Sequence, residues 1–344
     1  MIDMRSDTAS LPTPAMLEAI RNAPLGDEIL GEDPTVKRLE ALAAEIFGKE
    51  AALFTVSGTM SNQIAVMAFT QRGDEIVVGS RSHIYNLEAG GLSALSQVQP
   101  RPLEFPQGRM DPAQVEEAIR PPGVQNARTG LVCLENTYDL NKGYPVTAEN
   151  TAEVCRAAHG RGVPVYLDGA RIFNAAISLG TDVRALTREV DAVQVCLTKG
   201  LGAPFGALLM GEKSFIEKCK WLKQRLGGGL RQGGVVAAPG VVALTSMRER
   251  LREDHENARR LALGLKEIDA TLLDAEDVRS NAVGIDASAA RIDPETLLRR
   301  LSEEGIKIKR TGPSSFRLMT YPGITREHVE TVLAAMKKIF AERR

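Results

Sequence analysis

Short apolar runs alternate with helical patterns from Ala51 to about Gly240 of this 344-residue chain. The runs predicted as strands are Ala51–Thr55, Glu75–Gly79, Gly130–Leu134, Val163–Leu167, Ala192–Leu197 and Ala207–Met210. Such alternation is typical of an α/β fold with a mainly parallel, doubly wound sheet. Open α/β sheets bind ligands at the edge where their parallel strands end. The chain is therefore expected to carry its functional side chains just after its strands.

The C-terminal part of the chain mixes shorter strands with helices, which predicts a smaller α+β domain. We expect an N-terminal arm and a large domain over residues 1–245, and the small domain over residues 246–344. The predicted strands of the small domain are Asn281–Ile285, Ile306–Lys309 and Ser315–Met319. Helices outside the alternating region are predicted at Pro14–Asn22, Thr35–Phe47, Val241–Ile268, Pro294–Glu304 and Thr325–Arg343.

The composition is that of a globular protein, with 43% hydrophobic residues, 25% charged residues and a formal net charge of −1. This balance gives no reason to expect nucleic acid or an anionic membrane as a partner. The acidic N-terminus lacks the apolar core of a signal peptide, and no apolar run is long enough to span a membrane. We therefore expect a cytoplasmic protein. Buried free thiols, rather than a disulfide or a metal site, are expected at Cys133, Cys155, Cys196 and Cys219.

Two polar residues lie just after predicted strands, where an open α/β sheet binds its ligand. Asp168 follows the run Val163–Leu167, and Lys199 follows the run Ala192–Leu197 at a glycine-punctuated bend. A lysine can form an imine with pyridoxal phosphate, and a carboxylate can pair with the pyridinium nitrogen of that cofactor. Asp168 could instead cap the next helix, and Lys199 could be a solvated surface lysine. Together the two residues favour a pyridoxal phosphate site.

A second candidate element is the turn Ser57-Gly58-Thr59 between a predicted strand and a helix. Small residues there let a phosphate approach backbone N–H groups at a helix N-terminus, although the same sequence also suits a plain turn. His83 follows the strand Glu75–Gly79 and also falls near the ligand-binding edge. We interpret His83 as a ring stacked on the cofactor or as an acid or base, with a structural histidine as the alternative. The other histidines are expected at the surface: His159, His255 and His328.

Three arginines are candidates for binding anionic groups, because the planar guanidinium fork suits carboxylates and phosphates. Arg171 lies three residues after Asp168, and Arg317 lies within the otherwise apolar strand Ser315–Met319. Arg231 follows three consecutive glycines, which permit close approach to an anion but equally suit a flexible loop with a solvated arginine. A nicotinamide cofactor is not favoured, since no GxGxxG follows the first strand.

Seven blocks in order give the chain a resemblance to the low-specificity L-threonine aldolases, which belong to the fold-type I pyridoxal phosphate enzymes. The resemblance covers nearly the whole chain and implies an aspartate-aminotransferase-like large domain with the small α+β domain appended. The blocks are Met4-Arg-Ser-Asp-Thr8, Gly31-Glu-Asp-Pro-Thr35, Phe47-Gly-Lys-Glu-Ala-Ala52, Ser57-Gly-Thr-Met60, Asp168-Gly-Ala-Arg-Ile-Phe-Asn174, Cys196-Leu-Thr-Lys-Gly-Leu-Gly-Ala-Pro204 and Gly227-Gly-Gly-Leu-Arg-Gln232.

The resemblance implies a role for each matching residue. Lys199 would bind the cofactor covalently, Asp168 would pair with its ring nitrogen and His83 would stack on the ring. Cofactor binding is also implied for Ser57, Gly58, Thr59, Arg171 and, across a subunit interface, Arg231. Substrate binding is implied for Ser6, Arg171 and Arg317. No metal is implied, and the resemblance predicts homodimers or homotetramers with shared active sites.

The chain departs from the family pattern at three positions near the expected pocket. Tyr138 replaces a histidine thought to contact the substrate hydroxyl, Leu30 replaces a tyrosine, and Tyr321 replaces a histidine. The cofactor residues are unchanged, so the resemblance implies retro-aldol cleavage of L-threonine or L-allo-threonine to glycine and an aldehyde. Two alternatives stay open: a lyase for another β-substituted amino acid, and a pyridoxal phosphate-binding protein without catalysis. The base could be His83, Tyr138 or an ordered water.

Overall fold

The computed structural model describes residues 1–121, 123–290 and 292–342. Strands β1 to β12 are, in chain order, Ile2–Asp3, Ala51–Thr55, Glu75–Gly79, Gln99–Leu103, Thr129–Glu135, Val165–Asp168, Ala192–Cys196, Ala207–Gly211, Ala282–Asp286, Ile306–Lys307, Lys309–Arg310 and Ser315–Met319. Helices α1 to α13 are Pro14–Arg21, Pro34–Phe47, Gly58–Phe69, His83–Asn86, Pro112–Ala118, Ala148–His159, Ile172–Leu179, Val183–Thr187, Lys213–Arg225, Gly234–Val242, Leu251–Ile268, Pro294–Glu303 and Arg326–Ala341.

The large sheet has the strand order β2-β8-β7-β6-β5-β3-β4. Strands β3 to β7 pair in parallel, whereas β8 is antiparallel to both of its neighbours. Helices cover both faces: α2, α6 and α7 contribute buried residues to the core on one face, and α3 and α9 contribute to the core on the other. This arrangement confirms the predicted α/β class with a mainly parallel sheet.

Strand β4 has no counterpart among the sequence predictions. Its sequence, Gln-Pro-Arg-Pro-Leu from Gln99 to Leu103, shows neither an apolar run nor clean alternation. It pairs only with β3, at the edge of the sheet. Proline cannot donate a backbone hydrogen bond, and an edge strand tolerates that loss because one of its sides has no neighbour.

Helix ends follow the capping chemistry of the sequence. Helix α2 begins with the side chain of Asp33 accepting from the backbone N–H groups of Thr35 and Val36, with Pro34 in its first turn. It ends at Gly48, whose φ of 64° lies in the left-handed region. These signals place the end of α2 directly before β2, the first strand of the large sheet.

The small domain packs a second sheet of order β11-β12-β9 against α11, α12 and α13. The N-terminal arm contributes to this domain as well. Strand β1 pairs in parallel with β10, and Met4 is fully buried in the small-domain core. The arm therefore crosses from the small domain to the large one directly after Met4, which carries Ser6 and Asp7 to the junction. The boundary between residues 245 and 246 stays a prediction.

Two sequence predictions need correction. The single helix predicted over Val241–Ile268 is wrong: α10 ends at Val242, residues Ala243–Met247 form a wider π-helical segment, and α11 begins at Leu251. The strand predicted over Ile306–Lys309 is divided into β10 and β11, which pair in different sheets. The predicted end of the last helix at Arg343 lies outside the described residues.

Two predictions about burial and location can be compared directly with the structure. The four cysteines are buried and free, as the sequence predicts: Cys133, Cys155, Cys196 and Cys219. Across residues 1–121, 123–290 and 292–342, every helix is too short or too polar to cross a membrane.

Candidate active site

Five polar residues gather at the carboxyl ends of the large-sheet strands. Asp168 ends β6, Glu135 ends β5, and Lys199 lies three residues after β7. His83 begins α4 after β3, and Ser57 caps α3 after β2. Because these strands end at one edge of the sheet, residues far apart in sequence form one site.

Asp168 is held by neutral hydrogen-bond donors. Its Oδ1 accepts from Nε2 of Gln194 at 2.5 Å and from the backbone N–H of Ala170 at 3.0 Å. Its Oδ2 accepts from Nδ2 of Asn62 at 2.8 Å. The side chain is buried, and none of these donors carries a charge. The negative charge of Asp168 is thus available for a cationic partner such as a pyridinium N–H.

The sequence analysis missed Asn62 and Gln194, although both carry a signal. Gln194 interrupts the apolar strand Ala192–Cys196, and Asn62 lies in the largely apolar helix α3. Buried amides of this kind need partners, so they indicate a polar network. Tyr166 extends this network, since its hydroxyl donates to Oδ1 of Asn62 at 2.6 Å.

His83 lies near Asp168. One ring nitrogen of His83 and one carboxylate oxygen of Asp168 are within 4.8 Å of each other. The Nδ1 of His83 is 2.9 Å from Oε1 of Glu88, and the backbone N–H of His83 donates to Oε2 of Glu135 at 2.6 Å. The His83 side chain keeps 31% of its surface exposed, so the ring is open to a bound molecule.

Glu135 is a further carboxyl group that the sequence analysis did not single out. Burial, and then the nearby charge of Asp168, raise the pKa of Glu135 to about 8. Glu135 and Asp168 are paired in register on neighbouring strands, which explains their proximity. At neutral pH Glu135 therefore keeps its proton beside Asp168.

The turn at Ser57 and Gly58 fits a phosphate. The Oγ of Ser57 accepts from the backbone N–H of Met60 at 3.1 Å and starts α3. A Cβ on Gly58 would lie 2.5 Å from Sγ of Cys196, so only glycine lets the helix start this close to the end of β7. Thr59 is exposed in the first turn. Backbone N–H groups and the helix dipole at this end favour an anion.

Lys199 is half-buried on the bend after β7. Its backbone carbonyl accepts from Oγ of Ser10 at 2.9 Å, which ties the bend to the N-terminal arm. A Cβ on Gly200 would lie 2.6 Å from the side chain of Leu251, so the bend also packs tightly against α11. The positive charge of Lys199 contributes to the lowered pKa of Asp7 and partly opposes the rise in the pKa of Glu135. The N-terminal arm and α11 thus fix the bend that carries Lys199.

Arg171 forms a bidentate ion pair with Asp7, a residue that the sequence analysis did not single out. Its Nε and Nη2 each donate to one oxygen of Asp7 at 2.7 Å. Burial alone would raise the pKa of Asp7, but the charges of Arg171, Lys199 and Arg317 outweigh burial and lower it to about 2. The pair connects the N-terminal arm to the large domain beside Lys199.

Arg317 reaches the same junction from the small domain and is only 1% exposed. Its Nη1 donates to the carbonyl of Leu140 at 2.8 Å, and its Nη2 donates to the carbonyl of Arg5 at 2.7 Å. Its Nε–H is buried without a partner among the described residues. Burial and the charge of Arg171 lower the pKa of Arg317 to about 10. A buried guanidinium with an unused donor suits an incoming carboxylate.

Ser6 lies in the same segment as Asp7. Its Oγ accepts from the backbone N–H of Thr8 at 3.2 Å and caps a short 3₁₀ turn. The structure therefore brings Ser6, Arg171 and Arg317 to one region next to Lys199. Their binding of substrate stays a prediction.

Leu30 and Arg231 lie outside the group of residues around Lys199. Leu30 is 68% exposed and, with Trp221, lines a cavity of about 530 Å³. The Nη1 of Arg231 is 3.0 Å from Oδ2 of Asp27, and the rest of this side chain is largely exposed. Within the part of the chain that the structure describes, neither residue contacts Lys199. The role predicted for Arg231 requires a second subunit, and the roles of both residues stay predictions.

Tyr138 lies in the core next to the site and is 2% exposed. Its ring packs against Phe105, with 5.7 Å between ring centroids, and its hydroxyl accepts from the backbone N–H of Arg81 at 3.0 Å. Burial raises the pKa of Tyr138, which makes its phenolate still scarcer at neutral pH and disfavours it as the base. Contact with a substrate stays a prediction.

Two other expectations concern residues outside the immediate pocket. The surface position predicted for His255 is wrong: the residue is half-buried, its Nε2 is 3.3 Å from Oδ1 of Asn174, and burial lowers its pKa to about 4. Tyr321 is buried in the small domain, where its hydroxyl donates to the carbonyl of Asp3 at 2.6 Å. Tyr321 thus holds the N-terminal arm on the small domain.

The site fits pyridoxal phosphate on three observations. A glycine-shaped helix start lies beside the strand that precedes Lys199. Among the described residues, only neutral donors hold the buried carboxylate of Asp168. An imidazole, His83, lies next to that carboxylate with part of its ring open. These features match the phosphate, the ring nitrogen and the ring face of the cofactor.

Comparison with known proteins agrees with this geometry. The sequence profile of the beta-eliminating lyase family matches residues 3–288. Low-specificity L-threonine aldolase 1 of Arabidopsis thaliana is 41% identical over 342 residues, which cover 98% of this chain and 96% of that protein. The low specificity L-threonine aldolase of Escherichia coli (strain K12) is 37% identical over 343 residues, 99% of this chain and 100% of that protein.

A solved structure of Leishmania major threonine aldolase is similar in fold. It covers 99% of this chain and 100% of its own, with a TM-score of 0.82 at 18% sequence identity. The predicted architecture, a fold-type I large domain with a small C-terminal α+β domain, is confirmed.

Proposed function

The chain belongs to the beta-eliminating lyase family, and from this membership we propose that it cleaves L-threonine and L-allo-threonine to glycine and acetaldehyde. It is a pyridoxal phosphate-dependent lyase, as the sequence analysis predicts. The observation that carries the proposal is the pair of uncompensated charges at opposite ends of the site. Within residues 1–121, 123–290 and 292–342, Asp168 accepts only from neutral donors and Arg317 keeps a buried N–H without a partner.

The residues at the sheet edge would hold the cofactor. Lys199 would bind it covalently, Asp168 would pair with the ring nitrogen and His83 would cover one face of the ring. The turn at Ser57, Gly58 and Thr59 would hold the phosphate, with Arg231 of a second subunit supplying a further donor and Arg171 lying near the ring. When bound, pyridoxal phosphate supplies an electron sink for the bond that breaks.

The residues at the domain junction would hold the substrate carboxylate. Arg317 offers its unused Nε–H, and Ser6 and Arg171 lie in the same region. Fixing the carboxylate at one end of the site orients the bond between Cα and Cβ relative to the cofactor ring, and this orientation selects the bond that breaks. Because Arg317 comes from the small domain, the relative placement of the two domains controls this orientation.

A base must accept the proton of the substrate's β-hydroxyl group as the aldehyde forms. The geometry favours His83, whose ring is partly open next to Asp168. Tyr138 is disfavoured because its hydroxyl is buried and its pKa is raised. The same proton transfer would suit a bulkier β-hydroxy amino acid. This substrate stays the alternative because Leu30 and Tyr138 replace the residues that the family usually has.

Two further properties belong to the proposal. Exposed apolar side chains beside the 530 Å³ cavity, among them Leu30 and Trp221, support assembly into homodimers or homotetramers with shared active sites. Arg231 is also largely exposed, and its ion pair with Asp27 places it next to Glu28, which lines the same cavity. Free cysteines are typical of a reducing compartment, which supports a cytoplasmic location.

Titration of the purified holoenzyme tests the proposal. Aldehyde and glycine release would be measured with L-threonine, L-allo-threonine, phenylserine and an amino acid that carries a β-leaving group. Acetaldehyde from both threonine isomers supports the proposal, and Lys199→Ala should abolish it. Cleavage of phenylserine alone, or α-keto acid and ammonia from the leaving-group substrate alone, would favour the alternative lyase.

A further inference from the structure

Glu88 is a buried carboxylate for which the reaction described so far has no role. It lies two residues after α4, and its side chain is fully buried. Its Oε1 is 2.7 Å from Nδ2 of Asn62 and 2.9 Å from Nδ1 of His83, and its Oε2 accepts from Nε2 of Gln63 at 2.6 Å. Burying a charge is costly unless several donors compensate it, and these three donors do so.

The loop after Glu88 is shaped to bring this carboxylate onto α3. Ala89 and Gly90 have φ values of 51° and 72°, both in the left-handed region. A Cβ on Gly91 would lie 2.7 Å from Cδ of Gln63, so a larger residue would push the loop away from the helix. A left-handed conformation at a residue other than glycine is strained, and such strain concentrates at functional sites.

The contact with Glu88 determines the protonation pattern of the His83 ring. Carboxylate oxygens only accept hydrogen bonds, so Nδ1 of His83 must carry the hydrogen. In the neutral ring this leaves Nε2 with its lone pair free. When Nε2 accepts a proton, the resulting imidazolium has an anionic partner already in contact at Nδ1.

Asn62 connects Glu88 to the carboxylate that faces the cofactor. The two hydrogens of its amide are directed to Oε1 of Glu88 and Oδ2 of Asp168, while its Oδ1 accepts from Tyr166. Rotation of this amide would break all three contacts. Because the oxygens involved already accept N–H groups, hydrogen bonding, rather than a bound cation, accounts for the cluster of His83, Glu88 and Asp168.

We propose that Glu88 is a positioning residue for the reaction: it holds the proton on Nδ1 of His83 and, through Asn62, fixes that imidazole relative to Asp168. The role rests on the proposed function, since His83 then presents Nε2 as the proton acceptor. The substrate's β-hydroxyl proton moves to Nε2, and the electron pair of that O–H bond forms the C=O bond of the aldehyde as the bond between Cα and Cβ breaks. The electron pair of the broken bond stays with Cα, where bound pyridoxal phosphate would serve as the electron sink.

Replacing Glu88 with glutamine tests this role, because the amide keeps the size of the side chain but brings one NH2 group toward a neighbouring donor. In Glu88→Gln we expect kcat for L-threonine to fall about 10- to 100-fold, part of the factor that a positioned acid or base supplies. We expect KM to change less than about threefold, because the carboxylate-binding arginines are untouched. The acidic limb of the kcat profile should move to lower pH, since the imidazolium loses its anionic partner.

Nuclear magnetic resonance of the ¹⁵N-histidine-labelled holoenzyme decides the tautomer without relying on turnover. The chain has four histidines, and His83→Asn identifies the signals of His83. We expect the hydrogen on Nδ1 in the wild type and a shift toward Nε2 in Glu88→Gln. Glu104→Gln, which alters an exposed carboxylate, should change neither the tautomer nor kcat.

A wild-type His83 with its hydrogen on Nε2 would overturn the proposal, even if Glu88→Gln failed to fold. An unchanged tautomer and pH profile in a folded Glu88→Gln variant would also overturn it. An inactive wild type would instead overturn the proposed function, while the spectra would still decide whether Glu88 sets the ring.

Discussion

Asp168 and Arg171 lie three residues apart, yet only the charge of Arg171 is compensated by an ion pair. The carboxylate of Asp168 accepts from two side-chain amides and one backbone N–H, so its charge stays uncompensated. The guanidinium of Arg171 forms a bidentate pair with Asp7, which compensates its charge. Arg317, next to that pair, keeps its positive charge with carbonyl partners only.

The difference shows how the site is polarised. The sheet edge carries an uncompensated negative charge at Asp168, and the domain junction carries an uncompensated positive charge at Arg317. A complex of pyridoxal phosphate with an amino acid has the opposite pattern, with a protonated ring nitrogen at one end and a carboxylate at the other. The two ends of the site therefore match the two ends of that complex.

The largest effect is expected at the negative end, from Asp168→Asn. Removing one partner of a buried charge pair costs roughly 3–5 kcal/mol, which corresponds to about a 150- to 5,000-fold loss of kcat. The loss should appear in kcat for L-threonine and in the absorbance of the bound cofactor. A loss smaller than tenfold would show that Asp168 does not pair with the cofactor.

At the positive end, Arg317→Gln should act mainly on substrate binding. Hydrogen bonds to charged groups contribute about 1.5–3 kcal/mol, so we expect KM for L-threonine to rise about 10- to 150-fold. Arg310→Gln, which alters an exposed arginine on the neighbouring strand β11, is the matched control and should leave KM unchanged. An unchanged KM in Arg317→Gln would separate Arg317 from the substrate carboxylate.

The compensated pair makes a separate prediction about stability. The pKa of Asp7 is lowered from 3.8 to about 2, so its ionised form favours the folded state by about 2 kcal/mol at neutral pH. This contribution is present above the unfolded pKa and is lost as pH falls through the folded pKa. Asp7→Asn should lower the free energy of unfolding by about this amount at pH 7. Urea unfolding of the wild type and the variant at pH 7 and between pH 2 and 4 measures this difference. A variant as stable as the wild type at pH 7 would contradict the prediction.

The smallest effect is expected from Glu135→Gln. With a pKa of about 8, Glu135 keeps its proton at neutral pH, so the neutral amide should change kcat less than about tenfold at pH 7. Above pH 8 the wild type gains a second negative charge beside Asp168, and kcat should change with a midpoint near that pH. The variant should lack this change, which a kcat profile from pH 6 to 9.5 measures. The same alkaline limb in both proteins would exclude Glu135 as its source.

The sheet edge was predictable from the sequence because one rule locates it. Apolar runs predict parallel strands, and Asp168, Lys199 and His83 follow them. The compensating partner of Arg171 was not predictable in this way. The N-terminal arm brings Asp7 to Arg171, and the arm is held by contacts between distant parts of the chain. Among them are the two-residue pairing of β1 with β10 and the hydrogen bond from Tyr321 to Asp3.

The partners of Asp168 were partly predictable. Gln194 in an apolar strand and Asn62 in an apolar helix are polar residues that need buried partners, but periodicity does not name those partners. The position of Glu88 was not predictable, because its loop depends on left-handed backbone conformations at Ala89 and Gly90. Of these two residue types, only glycine suggests such a conformation. The structure was thus needed to find Glu88 on its loop, and also to find Glu135, although Glu135 directly follows a predicted strand.

The most direct test of the central claim locates the cofactor on the chain. The holoenzyme would be reduced with borohydride, digested and analysed by mass spectrometry, with Lys199→Ala treated in parallel. The account predicts a phosphopyridoxyl group on the peptide that contains Lys199, and none on the variant. Modification of a different lysine, or none in the wild type loaded with pyridoxal phosphate, would contradict it.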